Sequence, residues 1–207
     1  MPLVYQQNIN ESSVLGIWHI EEEESFFDLE GIDGNHIHHP LKRLQHKAGR
    51  YLIKQLCPDF PLQAIEISSS KKPFLTSNAY QFSISHSGDC VAVLIDQTNN
   101  VGVDIERVGE KPNSLRTKFL HDVEIDLLQQ SGNNEHMLFT MAWSIKETVF
   151  KWYGKGGVDF KNHIQIAAID FQQAQWHAKV NFCKGDKQQL TVNCFLFDNL
   201  CISYLIK

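Results

Sequence analysis

Two carboxylates, Asp104 and Glu106, stand two positions apart in VGVDIE, a stretch whose alternation reads as a β-strand. A period of two turns both acids to one face and leaves Val103 and Ile105 on the other. Like charges this close are costly unless a proton or a cation separates them. Mg2+ is the usual partner of such a pair, because it takes hard oxygen ligands and keeps part of its water shell. Further along, WSIKETVFKWYGKGG, from Trp143 to Gly157, reads as a helix carrying Glu147 and Lys151 as i,i+4 neighbours, with Trp143 one turn earlier. Taken singly, each feature has an ordinary explanation. Acids on an edge strand are commonly just solvated, and an i,i+4 ion pair is typically worth only about 0.3–0.5 kcal/mol.

A serine and a histidine, Ser85 and His86, end a strand-like run in SISHSGD and face an exposed turn. The segment lacks the GxSxG elbow and has no evident partner Asp, which argues against a serine hydrolase. YGKGG lacks the spacing of a phosphate-binding P-loop. A helix opened by Pro40 and running to about Leu56 places Leu41, Leu44, Ala48, Leu52 and Leu56 at helical spacing. Its cations, Lys42, Arg43, Lys47, Arg50 and Lys54, have plain solvation as their ordinary explanation. His36, His38 and His39, with His46 beyond them, fall around a Gly- and Pro-punctuated loop with no Cys partner. They read as a polar loop entering a helix rather than a metal site.

The elements that must position these groups are mixed. Leu15–Ile20 reads as a strand, and EEEESFFDLE as a helix start or acidic surface turn. The runs at Phe82–Ser85, Cys90–Ile95 and Val101–Glu106 predict a three-stranded antiparallel meander. Helices are predicted over Phe119–Leu128 and Met137–Tyr153, and strands at His163–Ile169, Val180–Cys183, Leu190–Leu196 and Cys201–Ile206. There is no βαβ regularity, so the class is α+β.

Composition narrows the function. The 207 residues include 13 Phe, 4 Trp and 5 Tyr, enough apolar surface to argue against disorder. No apolar run approaches the roughly 20 residues of a membrane span, and no secretory signal is visible. A net charge of −5 argues against a nucleic-acid partner. Cys57, Cys90, Cys183, Cys194 and Cys201 form no CxxC pair, which favours reduced thiols and a cytoplasmic setting over a zinc ribbon or disulfide framework.

In order, KKPFL (Lys71–Leu75), FSISHSGD (Phe82–Asp89), GVDIE (Gly102–Glu106) and WSIKETVFK (Trp143–Lys151) resemble the surfactin-type 4′-phosphopantetheinyl transferases. That family shows a GKP-like segment, F-x-x-S-H-S, G-[IV]-D-[IV]-E and [FW]-[SC]-x-K-E-[AST]-x-x-K. The last three match in order and spacing. The resemblance is strong over about Lys72–Gly157, weaker at the Leu41–Leu56 helix, and fades at both termini.

The resemblance implies an α+β pseudo-dimer: two similar lobes, each an antiparallel sheet packed with helices, with the active site in the cleft between them. The lobes would comprise residues 1–99 and 100–207, and a chain holding both is expected to be a monomer. It implies transfer of the phosphopantetheine arm of coenzyme A to a serine of an acyl, peptidyl or related carrier protein. Asp104, Glu106 and Glu147 would bind Mg2+ against the pyrophosphate of coenzyme A. Lys151 would neutralise phosphate charge, Lys72 would contact the nucleotide or its phosphates, and Ser85 with His86 would hold phosphates. Arg50 would reach the 3′-phosphate, with Arg43 assisting. The base is Glu147 in the first instance, with Glu124 or a metal-polarised water as alternatives. The sequence departs from the pattern at Lys71, where the family has Gly. A non-catalytic binder of coenzyme A that kept the fold is the competing expectation, and a pure binder has no reason to retain all of Asp104, Glu106, Glu147 and Lys151.

Overall fold

The computed structural model describes residues 2–171 and 175–207, which form two compact units. The first comprises the chain up to Val101 together with Ile206–Lys207, and the second comprises Gly102–Leu205.

In the first unit, the alternating and apolar runs become a sheet of β1 (Leu3–Asn8), β2 (Ser13–His19), β5 (Gln81–Ser87) and β6 (Cys90–Asp96). Its order is β1-β2-β6-β5, antiparallel throughout. A separate hairpin pairs β3 (Ile65–Ile67) with β4 (Pro73–Leu75). The Pro40 helix, α1 (Pro40–Leu56), buries Ala48, Leu52 and Ile53 against a core that includes Val91, Val93 and Ile95 of β6. Burial of an aliphatic side chain contributes about 1.5–3 kcal/mol.

The basic face of α1 departs from the solvated reading. The acidic segment before it forms a short 3-10 turn at Glu24–Phe27 and covers that face. Arg43 Nε donates to Glu24 Oε1 at 2.8 Å, and Lys47 Nζ lies 3.0 Å from Glu24 and 2.7 Å from Asp28. Lys47 is consequently buried.

The second unit contains β7 (Val101–Arg107), β8 (Ile164–Asp170), β9 (Gln175–Phe182), β10 (Gln188–Phe197) and β11 (Leu200–Ile206), in the order β7-β11-β10-β9-β8. β8, β9, β10 and β11 pair antiparallel in succession. The predicted meander is therefore corrected: β5 and β6 do pair antiparallel, but β7 joins a different sheet beside β11. The reason lies in the connection. The buried Asp96 carboxylate accepts from Thr98 N and Asn99 N at 2.7 and 2.6 Å, and from the Ser13 hydroxyl. This turn ends β6 without setting up a hairpin.

Among the described residues, four helices accompany the second sheet: α2 (Glu110–Phe119), α3 (Asp122–Gln129), α4 (Glu135–Tyr153) and the short α5 (Phe160–His163). The helix predicted at Phe119–Leu128 begins at Asp122, because Leu120 and His121 are extended and a reciprocal capping box links His121 with Glu124. α4 starts where the Asn134 side chain accepts from Met137 N, and it ends at Gly154 in the left-handed conformation. Leu138, Ala142, Ile145 and Val149 of α4 pack into a core with Val180, Phe182 and Val192. Among the described residues, no helix is long and apolar enough to cross a membrane.

Candidate active site

Gly102 explains how β7 and α4 come together. A β-carbon at Gly102 would lie 2.2 Å from Thr148 O and 2.8 Å from Trp152 N. Only glycine permits that approach. On the same helix, Thr148 Oγ1 donates to Ser203 O at 3.0 Å, and the hydroxyls of Ser144 and Thr148 lie 2.7 and 2.6 Å from that of Ser203 on β11. This buried hydroxyl cluster ties one face of α4 to the sheet and presents Glu147 and Lys151 to the strand that bears the acids.

The four charged residues picked out by spacing meet here. Asp104 is 2 % exposed, and Lys151 Nζ lies 2.6 Å from its Oδ1. β7 is an edge strand, as the ordinary explanation had it, but burial on both its faces overrides the solvated reading of this acid. Glu106 accepts from the Trp143 indole N–H at 3.2 Å. Trp143 is held between Phe119 and Phe160, with ring centroids at 5.2 and 5.3 Å. This residue orients Glu106, a role not assigned from the sequence. Its position four residues before Glu147, on the same helical face, was the available signal.

The Glu147 carboxyl is pushed up to about 7, first by burial and then by the charges of Asp104 and Glu106, with Lys151 pulling the other way. The acids therefore hold more negative charge than a single lysine offsets. A hard divalent cation answers that deficit, and an all-carboxylate donor set suits Mg2+. The residues fit the ion. A cavity of ≈ 340 Å3 beside Glu106 is lined by Trp143, Arg107, Pro112 and Leu115, among others.

Glu124, the alternative base, has its carboxylate committed to other partners. It is buried, its Oε1 lies 2.8 Å from Lys146 Nζ and accepts from Ile166 N at 2.9 Å, and its Oε2 accepts from His121 N at 2.8 Å. Lys146 also donates to Phe119 O and Phe160 O, at 2.8 and 3.0 Å. The pair joins α3, α4 and β8.

The remaining candidates lie in the first unit. Ser85 is buried on β5 and His86 is exposed at its end. Arg50 donates to His46 Nδ1 at 3.0 Å, and burial lowers its guanidinium to about 10. The His46 imidazole is lowered to about 4, by burial and then by Arg50, so its neutral ring accepts that bond while Nε2 meets Asp33 O at 2.9 Å. His46 thus positions Arg50, another i,i+4 relationship. Arg43 is engaged by Glu24 and by Ile37 O. Lys72 is half-buried, and burial lowers its ammonium. The preceding Lys71 has φ +65°, the left-handed region that favours glycine. The Gly-to-Lys departure therefore falls at a position whose backbone suits Gly.

A helix and a strand thus bring three acids and a lysine to one site. The family model described as ACPS, the 4′-phosphopantetheinyl transferase superfamily, matches residues 100–204, and all four of these residues fall within it. The chain belongs to that superfamily. It is 34% identical over 110 residues to 4′-phosphopantetheinyl transferase gsp of Aneurinibacillus migulanus, covering 52% of this chain and 45% of that protein. It is 31% identical over 115 residues to psf-1 of Bacillus pumilus, covering 52% and 49%. Over 76 residues it is 36% identical to ffp of Bacillus subtilis, covering 36% and 34%. The matches to gsp and psf-1 span about half the length of those relatives.

Proposed function

We propose that this protein transfers the 4′-phosphopantetheine arm of coenzyme A to a serine of a carrier protein in a Mg2+-dependent reaction, releasing adenosine 3′,5′-bisphosphate. The observation that carries this reading is the convergence of Asp104, Glu106, Glu147 and Lys151 within the second unit. The serine oxygen forms a bond to the phosphorus that bears the pantetheine. The bond from that phosphorus to the bridging oxygen breaks, and its electron pair leaves with adenosine 3′,5′-bisphosphate. The barrier is chiefly electrostatic, because charge accumulates on the phosphate oxygens.

Asp104, Glu106 and Glu147 would hold Mg2+, which when bound supplies charge neutralisation at the pyrophosphate. Lys151, paired with Asp104 at 2.6 Å, supplies fixed positive charge for the same oxygens. Glu147, ionised when the ion is bound, takes the proton of the serine hydroxyl, as a base weakened by its metal. Trp143 keeps Glu106 oriented. In the first unit, Arg50, Lys72, Ser85 and His86 are proposed to contact the phosphates of coenzyme A, with Arg43 reaching them only by giving up Glu24.

Mass spectrometry of an apo carrier protein incubated with coenzyme A tests the reading. The carrier should gain the mass of the arm with Mg2+ and not without it, and Asp104→Ala should abolish the gain. Binding of coenzyme A with no mass gain on any class of carrier would favour the non-catalytic binder. A folded Asp104→Ala variant as fast as wild type would remove the metal assignment.

A further inference from the structure

A second candidate metal site lies in the first unit and uses none of the residues assigned above to transfer, although its Asp89 and Cys90 follow Ser85 and His86 around the β5–β6 turn. Antiparallel pairing puts His19, at the end of β2, opposite Cys90, at the start of β6. Directly opposed residues of a pair point their side chains to the same face. Asp89, in the turn just before Cys90, completes the group. One ligand atom from each of His19, Asp89 and Cys90 lies within 4.8 Å of the others. His19 Nε2 is 3.2 Å from Asp89 Oδ2, and Cys90 Sγ is 3.5 Å from Asp89 Oδ1.

The second nitrogen of His19 is the informative one. Nδ1 lies 3.3 Å from Glu21 Oε1. An imidazole with a carboxylate on each nitrogen carries either two protons, or one proton and a metal. In the second case Nδ1–H is given to Glu21 and the lone pair of Nε2 faces the Asp89 carboxylate, two acceptors that a cation between them reconciles. A carboxylate behind a ligating histidine is also the recurring outer-shell support of zinc sites, where it sets the tautomer and orients the ring.

We propose that His19 Nε2, the Asp89 carboxylate and the Cys90 thiolate bind one zinc-class divalent ion, with Glu21 as the outer-shell partner. One imidazole, one carboxylate and one thiolate suit Zn2+ and exclude Mg2+, which has no use for a thiolate. Three protein ligands leave a coordination position for water, and the half-exposed Asp89 and His19 side chains, 49% and 38% accessible, give the ion entry. Binding ionises the Cys90 thiol and releases its proton to solvent. The ion clamps the end of β2 to the β5–β6 turn, which Gln45 of α1 already holds through Gly88 O at 2.6 Å. The sequence could not show this site, since its ligands are 70 residues apart and come together only through strand pairing.

The proposal is independent of the transfer reaction, and its test needs no substrate. Reduced, chelator-stripped protein is titrated with Co2+ alone and followed by absorbance. A thiolate-to-cobalt charge-transfer band should grow to one equivalent and be displaced by Zn2+. Cys90→Ser should abolish the band and Cys183→Ser should keep it. Glu21→Gln should retain the band with affinity weakened about tenfold or more. Zn2+ should raise the melting temperature of wild type and leave that of His19→Ala and Asp89→Asn unmoved, which keeps the test open if Cys90→Ser fails to fold. Absence of the band, its persistence in Cys90→Ser, or equal Zn2+ stabilisation of His19→Ala would each overturn the site.

Discussion

The α-carbon of Gly102 is pressed against the backbone of Thr148, so closely that a β-carbon would fall 2.2 Å from the Thr148 carbonyl oxygen. The obstacle is backbone, which cannot rotate aside as a side chain can. Gly102→Ala must therefore push β7 away from α4, at a cost of about 1–3 kcal/mol for an overpacked core. The same displacement separates Asp104 from Lys151, now 2.6 Å apart. Denaturant unfolding should show the stability loss. Transfer rate measured well below the melting temperature should fall further than the unfolded fraction accounts for.

Lys71 makes the opposite prediction. Its φ of +65° lies in a turn where Lys71 N donates to Ser68 O at 2.9 Å and Ser68 N to Lys72 O at 2.9 Å. A residue with a β-carbon pays roughly 1–2 kcal/mol in this conformation, and glycine recovers most of that despite its greater freedom when unfolded. Lys71→Gly should raise stability by up to about 1 kcal/mol, read as a higher denaturation midpoint at unchanged slope. A lower midpoint would mean that the lysine side chain contributes more than the backbone loses.

The acids on β7 and the helix that carries Glu147 and Lys151 were legible because they depend on local periods: two for Asp104 and Glu106, four for Glu147 and Lys151. Partner choice was not legible. The run after Asp96 resembles a hairpin loop, and nothing local reveals that the carboxylate turns inward to bind Thr98 and Asn99 while β7 leaves for another sheet. Buried charge was equally hidden. Lys47 and Glu124 look like solvated helix residues until Glu24 and Asp28, or Lys146, are brought to them from elsewhere in the chain.

Glu147 gives the metal-free protein a pH signature. Its carboxyl lies near 7 in the folded chain, against 4.5 for the unconstrained group, with burial the leading cause. Between these values the folded state holds more protons than the unfolded state, so stability falls as pH rises from about 4.5 to about 7 and then levels. The loss is on the order of 3 kcal/mol. Glu147→Gln should flatten this slope in chemical denaturation profiles. Mg2+ favours the ionised acid, so it should raise the melting temperature more at pH 8 than at pH 5.5. Equal stabilisation at both would count against Glu147 as a ligand.

The Lys146–Glu124 pair separates structural from catalytic roles for the second candidate base. Removing one partner of a buried pair costs about 3–5 kcal/mol, because the other charge stays behind. The two deletions should differ. Lys146→Met leaves the buried Glu124 carboxylate without its counter-charge and Phe119 O and Phe160 O without their lysine. Glu124→Gln keeps a side chain able to accept from His121 N or Ile166 N, and leaves Lys146 its two carbonyls. Lys146→Met should therefore be the more destabilising, and a double-mutant cycle should give strong coupling. With the carboxylate committed to these donors, Glu124→Gln should slow transfer only as far as it loosens the fold, measured where both proteins are folded. A loss of several hundredfold with little change in stability would instead make Glu124 the base, and Glu147 a metal ligand alone.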